Sequence, residues 1–325
     1  MMATTTLEGT ARALVAPGKG ILAADESHAT IGRRFEPLGI VNNEENRRRY
    51  RQMLLTTKGI GEFISGVILF DETIRQTADD GRPFVDVLRN EGIIPGIKVD
   101  RGSERLADYK KLGARFAKWR AVIVIGDDGR TPTPLALEAN AEALARYAAL
   151  CQEAEMVPIV EPEVLMDGGH SIERCFEVTE ATLHTVFHAR WEHKVALEGM
   201  LLKPSMVLPG AVSGRRAPVE DVAQATVRCL RRTVPAAVPG IVFLSGGQSD
   251  ELATAHLNAM NRLPEAAPWP LSFSFARALQ AAPLTAWGGD PTRVDDGQRA
   301  FRHRARCNSA ARTGAYTAEL ERSGR

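Results

Sequence analysis

The sequence is poor in the features that mark several protein classes. Only four cysteines occur in 325 residues, Cys151, Cys175, Cys229 and Cys307, and no two form a C-x-x-C pair. That spacing offers no disulfide framework and fits reduced thiols in a reducing compartment. Charge imbalance is almost absent: Lys and Arg number 41, Asp and Glu 40. Net charge therefore suggests no polyanionic partner such as nucleic acid. No apolar run is long enough to span a bilayer, and residues 1–8 lack the apolar core of a secretion signal. These absences point to a cytoplasmic protein with no membrane or nucleic-acid partner. Low-complexity segments and strong internal repeats are also missing, so no domain boundary is drawn. Residues 1–325 read as one domain with a short N-terminal arm (1–17) and a truncated tail (about 312–325). No G-x-G-x-x-G follows any apolar run, which leaves an open Rossmann-type sheet without support.

What is present is an ordinary globular composition, 44% hydrophobic with mean hydropathy −0.17. Eight short apolar runs recur, at 20–25, 66–70, 94–99, 121–126, 157–161, 200–203, 241–245 and 271–275. Helical periodicity separates them, at 42–57, 103–119, 135–154, 171–193, 218–233, 249–262 and 276–281. In the second of these segments Ser103 suits an N-cap, and Leu106, Tyr109, Leu112 and Phe116 share one face. Alternating strands and helices predict a parallel sheet. Eight units in this length predict an α/β fold of the closed (β/α)8 TIM-barrel type.

In a barrel, catalytic groups sit at the C-terminal ends of the strands. The runs end in Asp25, Asp71, Lys98, Glu161 with Glu163, Lys203, and Ser245-Gly246-Gly247. Lys118 and Arg120 fall just before the fourth run or at its start. Closure would bring carboxylates and lysines to one mouth, a poor structural motif but a good active site. Lys203 ends a fully apolar strand, and Pro204 stops the ladder behind it. Burial and a neighbouring cation both lower a lysine's pKa, and the free amine suits Schiff-base chemistry. The same stretch also fits a lysine that snorkels to solvent. After the last two strands, Ser245-Gly246-Gly247, Ser274 and Arg277 suggest phosphate held by backbone N–H groups near a helix start. Taken alone, Ser-Gly-Gly also fits a tight turn.

Longer motifs carry a resemblance. They include Gly18-Lys19-Gly20-Ile21-Leu22-Ala23-Ala24-Asp25-Glu26-Ser27, Gly96-Ile97-Lys98-Val99-Asp100, Val157-Pro158-Ile159-Val160-Glu161-Pro162-Glu163, Leu201-Leu202-Lys203-Pro204 and Leu244-Ser245-Gly246-Gly247-Gln248-Ser249. Collinear from about residue 18 to 316, the chain resembles class I fructose-bisphosphate aldolase, the metal-independent, Schiff-base type. The resemblance implies a cytoplasmic glycolytic lyase acting on a phosphorylated ketose, without a cofactor or metal, as a homo-oligomer (a tetramer in the family). It implies Lys203 as the Schiff-base nucleophile and Lys118 as the neighbouring cation. Glu161 becomes the acid/base for carbinolamine dehydration, with Glu163 in support, and Asp25 the group that takes the C4 hydroxyl proton. Ser245, Gly246, Gly247, Ser274 and Arg277 fall to the C1 phosphate. Ser27, Thr30, Arg33, Arg34, Lys98 and Arg120 fall to the other phosphate side. Without the resemblance, Arg33-Arg34 reads equally as a solvated helix face.

Three departures stand out. Asp100-Arg101-Gly102 runs directly into Ser103, where the family carries a longer loop. A scaffold with impaired catalysis is the alternative that this shortening raises. The last tyrosine is Tyr316, whereas the family's tail often ends in one; the expected consequence is slower proton handling at the carbanion. Ala276 stands where the family commonly has glycine beside the phosphate-binding arginine, so crowding or a restricted φ should weaken substrate binding. A metal-dependent alternative would have to use His184, His188 and His193, whose spacing suits a metal but places them on the outward face of a helix.

Overall fold

The computed structural model describes residues 6–99, 105–265 and 267–323. Eight parallel strands close into a barrel in sequence order: β1 (Gly20–Ala24), β2 (Ile64–Leu69), β3 (Ile94–Lys98), β4 (Phe116–Ile123), β5 (Val157–Val164), β6 (Leu201–Leu202), β7 (Ile241–Phe243) and β8 (Leu271–Phe275). Closure is made by β8 pairing with β1, Ser274 opposite Ile21 and Phe275 opposite Leu22. Around it run α1 (Leu7–Leu14), α2 (His28–Phe35), α3 (Glu44–Leu55), α4 (Phe84–Asn90), α5 (Leu106–Leu112), α6 (Pro134–Glu153), α7 (Ile172–Glu192), α8 (Val219–Thr233), α9 (Asp250–Asn261), α10 (Arg277–Trp287), α11 (Val294–Arg312) and α12 (Ala318–Arg322). Several start on a side-chain cap: Asn43 Oδ1 accepts from the Asn46 amide at 2.8 Å, and the Ser171 and Ser249 hydroxyls accept from amides three residues on at 3.2 Å.

Strand side chains alternate faces, so every second residue enters the lumen. The lower lumen is apolar. Ile21 and Ala23 of β1, Ile68, Phe116, Val157 and Ile159, Leu201 and Val242 pack there with Ala11, Leu14 and Val15 around α1. Residues of the expected arm thus form a helix that closes the barrel's lower end. One step further along the same strands, the same parity delivers Asp25, Lys98, Lys118, Glu161, Lys203 and Ser274. The apolar floor and the charged mouth come from one alternation.

Two expectations need correction. The helix expected over 103–119 is the shorter α5, and the fourth strand starts at Phe116 instead of residue 121. Gly113, at φ +113°, ends α5 in the left-handed region. Phe116, Lys118 and Arg120 then alternate into the lumen, and two charges among them disguise a strand. Ser103 and the shortened connection at 100–104 lie outside the described residues. Helices α1, α4, α11 and α12 were not anticipated, and α2 only as a solvated face at Arg33-Arg34. In α11, VDDGQRAFRHRARCNSAAR, charge dilutes the buried stripe of Phe301, Ala305 and Asn308. Helix α10 runs to Trp287, past the expected residue 281.

The floor is tight. A Cβ built on Gly96 of β3 would lie 2.3 Å from the Phe116 ring. Gly96→Ala should therefore destabilise the chain by about 1–3 kcal/mol in urea unfolding. A loss under about 0.5 kcal/mol would show that the ring simply moves aside.

Candidate active site

The mouth is organised by ion pairs between strands that are distant in sequence. The Lys118 ammonium, on β4, lies 2.7 Å from Asp25 Oδ2 and 3.0 Å from Glu161 Oε2. The Lys203 ammonium lies 3.0 Å from the other Glu161 oxygen, Oε1. All four residues are buried. Lys203 follows β6, but its amide still donates to Val160 O at 2.8 Å, so the ladder holds its backbone. Lys203 therefore does not snorkel; its side chain is 4% exposed.

The two ammonium groups take opposite oxygens of Glu161. Glu161 Oε2 faces Lys118 as an ion pair without hydrogen-bond geometry, which leaves a lone pair uncommitted. Burial alone would raise the Asp25 pKa, but the charges of Lys118, Lys203 and Lys98 outweigh it and hold Asp25 well below the usual carboxylate range. Burial likewise opposes ionisation of Glu161, and Lys118 and Lys203 overcome it. For Lys118, burial favours loss of the proton, and Asp25 and Glu161 reverse that. Glu163 goes the other way: burial, helped by the Glu161 charge, outweighs its partner Arg120 and raises its pKa.

One wall is the loop after β7. Gly246 and Gly247 have φ of +56° and +97°, values that disfavour a side chain. A Cβ on Gly247 would stand 3.3 Å from Arg277 Nη2, so glycine keeps the space beside the guanidinium open. Gln248 Nε2 donates to Ser245 O at 3.1 Å, and His256 Nδ1 lies 2.6 Å from Gln248 Oε1, bracing the loop from α9. Ser274 Oγ is buried in this wall with no hydrogen-bond partner, a donor without an acceptor. The opposite wall is the start of α2, where the Ser27 hydroxyl caps the helix and Thr30 and Arg34 line the cavity.

Asp25, Ser27, Thr30, Arg34, Lys98, Lys118, Arg120, Glu161, Glu163, Lys203, Ser245, Gly246, Gly247, Ser274 and Arg277 all line one cavity. Arg33 is not in its lining: it points from the exposed face of α2, one residue round the helix from Arg34. Asp71 is also elsewhere, held by Arg75 and Tyr109. Ala276 has φ −100°, which alanine adopts freely, so the expected φ restriction falls away and only its methyl in the cavity wall remains. Tyr316 donates to Glu321 at 2.7 Å and does not line the cavity. Glu26, Trp119 and Asp167 line it unanticipated. For Glu26 the signal was its place directly after Asp25. His184 and His188 are exposed beside buried Leu183 and Phe187, and His193 pairs with Glu142 at 2.8 Å. Among the described residues these histidines form no metal-ligating group.

The family model described as fructose-bisphosphate aldolase class-I matches residues 6–107 and 102–325. The probable fructose-bisphosphate aldolase class 1 of Xanthomonas campestris is 54% identical, covering 97% of this chain and 99% of that protein. That alignment runs over 335 positions, so the relative carries about 20 residues without a counterpart in this 325-residue chain. The cytosolic fructose-bisphosphate aldolase 4 of Arabidopsis thaliana is 51% identical over 94% of this chain and 82% of its own. A co-crystal structure of fructose-bisphosphate aldolase from Plasmodium falciparum, with TRAP and a small-molecule inhibitor, superposes with a TM-score of 0.94 at 49% identity, covering 96% of this chain and 95% of that one.

Lys118→Met should cost about 3 kcal/mol at pH 7, because it leaves buried carboxylates underpaired. Asp25 and Glu161 have depressed pKa values in the folded chain, so their stabilisation is full above the carboxylate range and is lost as pH falls through it. The difference between wild type and variant should therefore narrow as pH falls from about 5 to about 3. Denaturant unfolding across that range checks this, and a constant difference would contradict it.

Proposed function

The chain belongs to the class-I fructose-bisphosphate aldolase family, and on that premise we propose how its barrel mouth carries out the reaction. The activity is a carbon–carbon lyase reaction of glycolysis: fructose 1,6-bisphosphate is split reversibly to dihydroxyacetone phosphate and glyceraldehyde 3-phosphate through a lysine Schiff base. The observation that carries the residue assignment is the buried Lys203–Glu161–Lys118–Asp25 chain.

Lys203 Nζ attacks the C2 carbonyl once Glu161, 3.0 Å away, has taken its proton. Glu161 returns a proton to the carbinolamine hydroxyl, which leaves as water and gives the iminium. Glu163, with its raised pKa, backs this proton traffic. Asp25 takes the C4 hydroxyl proton, the C3–C4 bond breaks, and its electron pair moves to the iminium as an enamine. The aldehyde departs, C3 is reprotonated, and hydrolysis frees the ketone and the lysine. In the resting site Asp25 is ionised but weakly basic, because Lys118 holds it. A C4 hydroxyl inserted at Asp25 loosens that contact and restores basicity where it is needed.

The C1 phosphate goes to the Ser245–Gly247 loop, Ser274 and Arg277 at the start of α10. The other phosphate goes to Ser27, Thr30, Arg34, Lys98 and Arg120. Arginine's planar donor fork suits phosphate oxygens, and Ser274 Oγ gains the acceptor that it otherwise lacks. The exposed Arg33 drops out of this set. We further propose a cytoplasmic homo-oligomer of one domain per chain. All four thiols are free and buried, no described helix is long and apolar enough to cross a membrane, and relatives are named cytosolic.

Borohydride added with dihydroxyacetone phosphate should fix a covalent adduct on the peptide that contains Lys203, and none in Lys203→Met. Asp25→Asn should still trap the adduct while losing about 10²–10⁴-fold in cleavage rate. No adduct in folded wild-type protein would defeat the assignment, and an adduct that is lost in Asp25→Asn would defeat the role given to Asp25.

A further inference from the structure

Glu26 takes no part in the chemistry above, yet its carboxylate is among the most heavily bonded groups near the mouth. It follows Asp25 out of β1, and its side chain is buried. Oε2 accepts from Arg51 Nη2 of α3 at 2.6 Å. Oε1 accepts from Arg34 Nη1 of α2 and from Gln280 Nε2 of α10, the latter at 2.8 Å. Gln280 in turn uses its whole amide. Nε2 also donates to Ala23 O at 2.6 Å, while Oε1 accepts from the Tyr50 hydroxyl at 3.0 Å and from Arg51 Nη1 at 3.3 Å. Four elements, β1, α2, α3 and α10, meet at one carboxylate and one amide.

The arms of this node reach opposite walls of the cavity. Arg34 lines one wall. Arg277 lines the other, and Gln280 lies three residues further along α10, on the same helix face. Arg51 is buried and offsets the Glu26 charge, so Arg34 keeps a net charge for a ligand. Two cations that must grip one molecule at both ends gain from a fixed separation, since the second contact is then intramolecular. A ligand with one phosphate draws no such gain.

We propose that Glu26 and Gln280 are positioning residues, a buried strut that sets the separation of Arg34 from Arg277 and makes the site selective for a ketose phosphorylated at both ends. The inference rests on the reading that these two arginines bind the two phosphates. It concerns groups that touch neither the substrate carbon chain nor Lys203.

Steady-state kinetics on fructose 1,6-bisphosphate and fructose 1-phosphate, with borohydride trapping alongside, test it in wild type, Gln280→Met and Glu26→Gln. The ratio of kcat/KM for the bisphosphate to that for the monophosphate should fall at least about fivefold in the variants. The fall should come mainly from the bisphosphate KM, with kcat on fructose 1-phosphate within about twofold of wild type. Gln280→Met changes no charge, so it carries the test should Glu26→Gln, which leaves Arg51 uncompensated, fail to fold. An unchanged ratio in Gln280→Met, whether both substrates slow together or neither does, overturns the strut. Failure of wild type to trap an adduct at Lys203 would instead remove the reading on which the strut rests.

Discussion

The Lys118 ammonium, buried between Asp25 and Glu161, is the interaction on which the mouth depends. Two carboxylates from β1 and β5 share one cation from β4, and Glu161 passes the remaining contact to Lys203 after β6. The four formal charges sum to zero, which a low-dielectric site tolerates far better than any odd number of them. Such a cluster exists only if the sheet closes, because β1 reaches β4 and β5 across the lumen and not along the ladder. Closure in turn needs the apolar floor beneath, where Phe116 lies against Gly96 and Gly66 and Leu14 of α1 seals the end. The charged layer is held in place by a packed layer one step down the same strands.

Much of this was legible in the sequence for a simple reason. Strands covered on both faces read as apolar runs, and seven of the eight were placed within a few residues. The exception, β4, carries Lys118 and Arg120 inside the strand. A charged residue pointing into the lumen erases the pattern by which strands are found. The same conflict hid α11, where Arg304 is buried and pairs with Glu321 at 2.5 Å, so that a charged residue does the packing. Arg33 and Arg34 show the other limit. Adjacent arginines are interchangeable to a reader of sequence, but 100° of helix rotation puts Arg34 in the cavity lining and leaves Arg33 exposed, 3.5 Å from the Thr30 hydroxyl. The place of Glu26 beside Asp25 was visible in the sequence, but its bonding was not, because that comes from partners at residues 34, 51 and 280.

In the assignment proposed above, the proton-transfer groups and most of the phosphate contacts come from different parts of the barrel. Asp25, Lys118, Glu161 and Lys203, together with Lys98 and Arg120 of the phosphate set, sit on strands or within one residue of a strand end. Their spacing is set by the ladder, including Lys98 opposite Lys118 and Arg120 opposite Glu161. The remaining phosphate contacts of that assignment lie on the α2 start, the β7 loop, the end of β8 and the α10 start, and Glu26 with Gln280 cross-links α2 to α10.

This division explains why a shortened connection need not empty the site. The family model matches the chain in two pieces that meet at residues 102–107, beyond β3. The last catalytic-layer residue before that point, Lys98, is still within β3 and hydrogen-bonded into the sheet through the Gly96–Phe116 and Lys98–Lys118 register. The next, Lys118, is in the middle of β4. Side chains whose backbone is fixed by strand pairing keep their places when a connection between strands changes length. The buried charge cluster is therefore insulated from the length of the connection after β3.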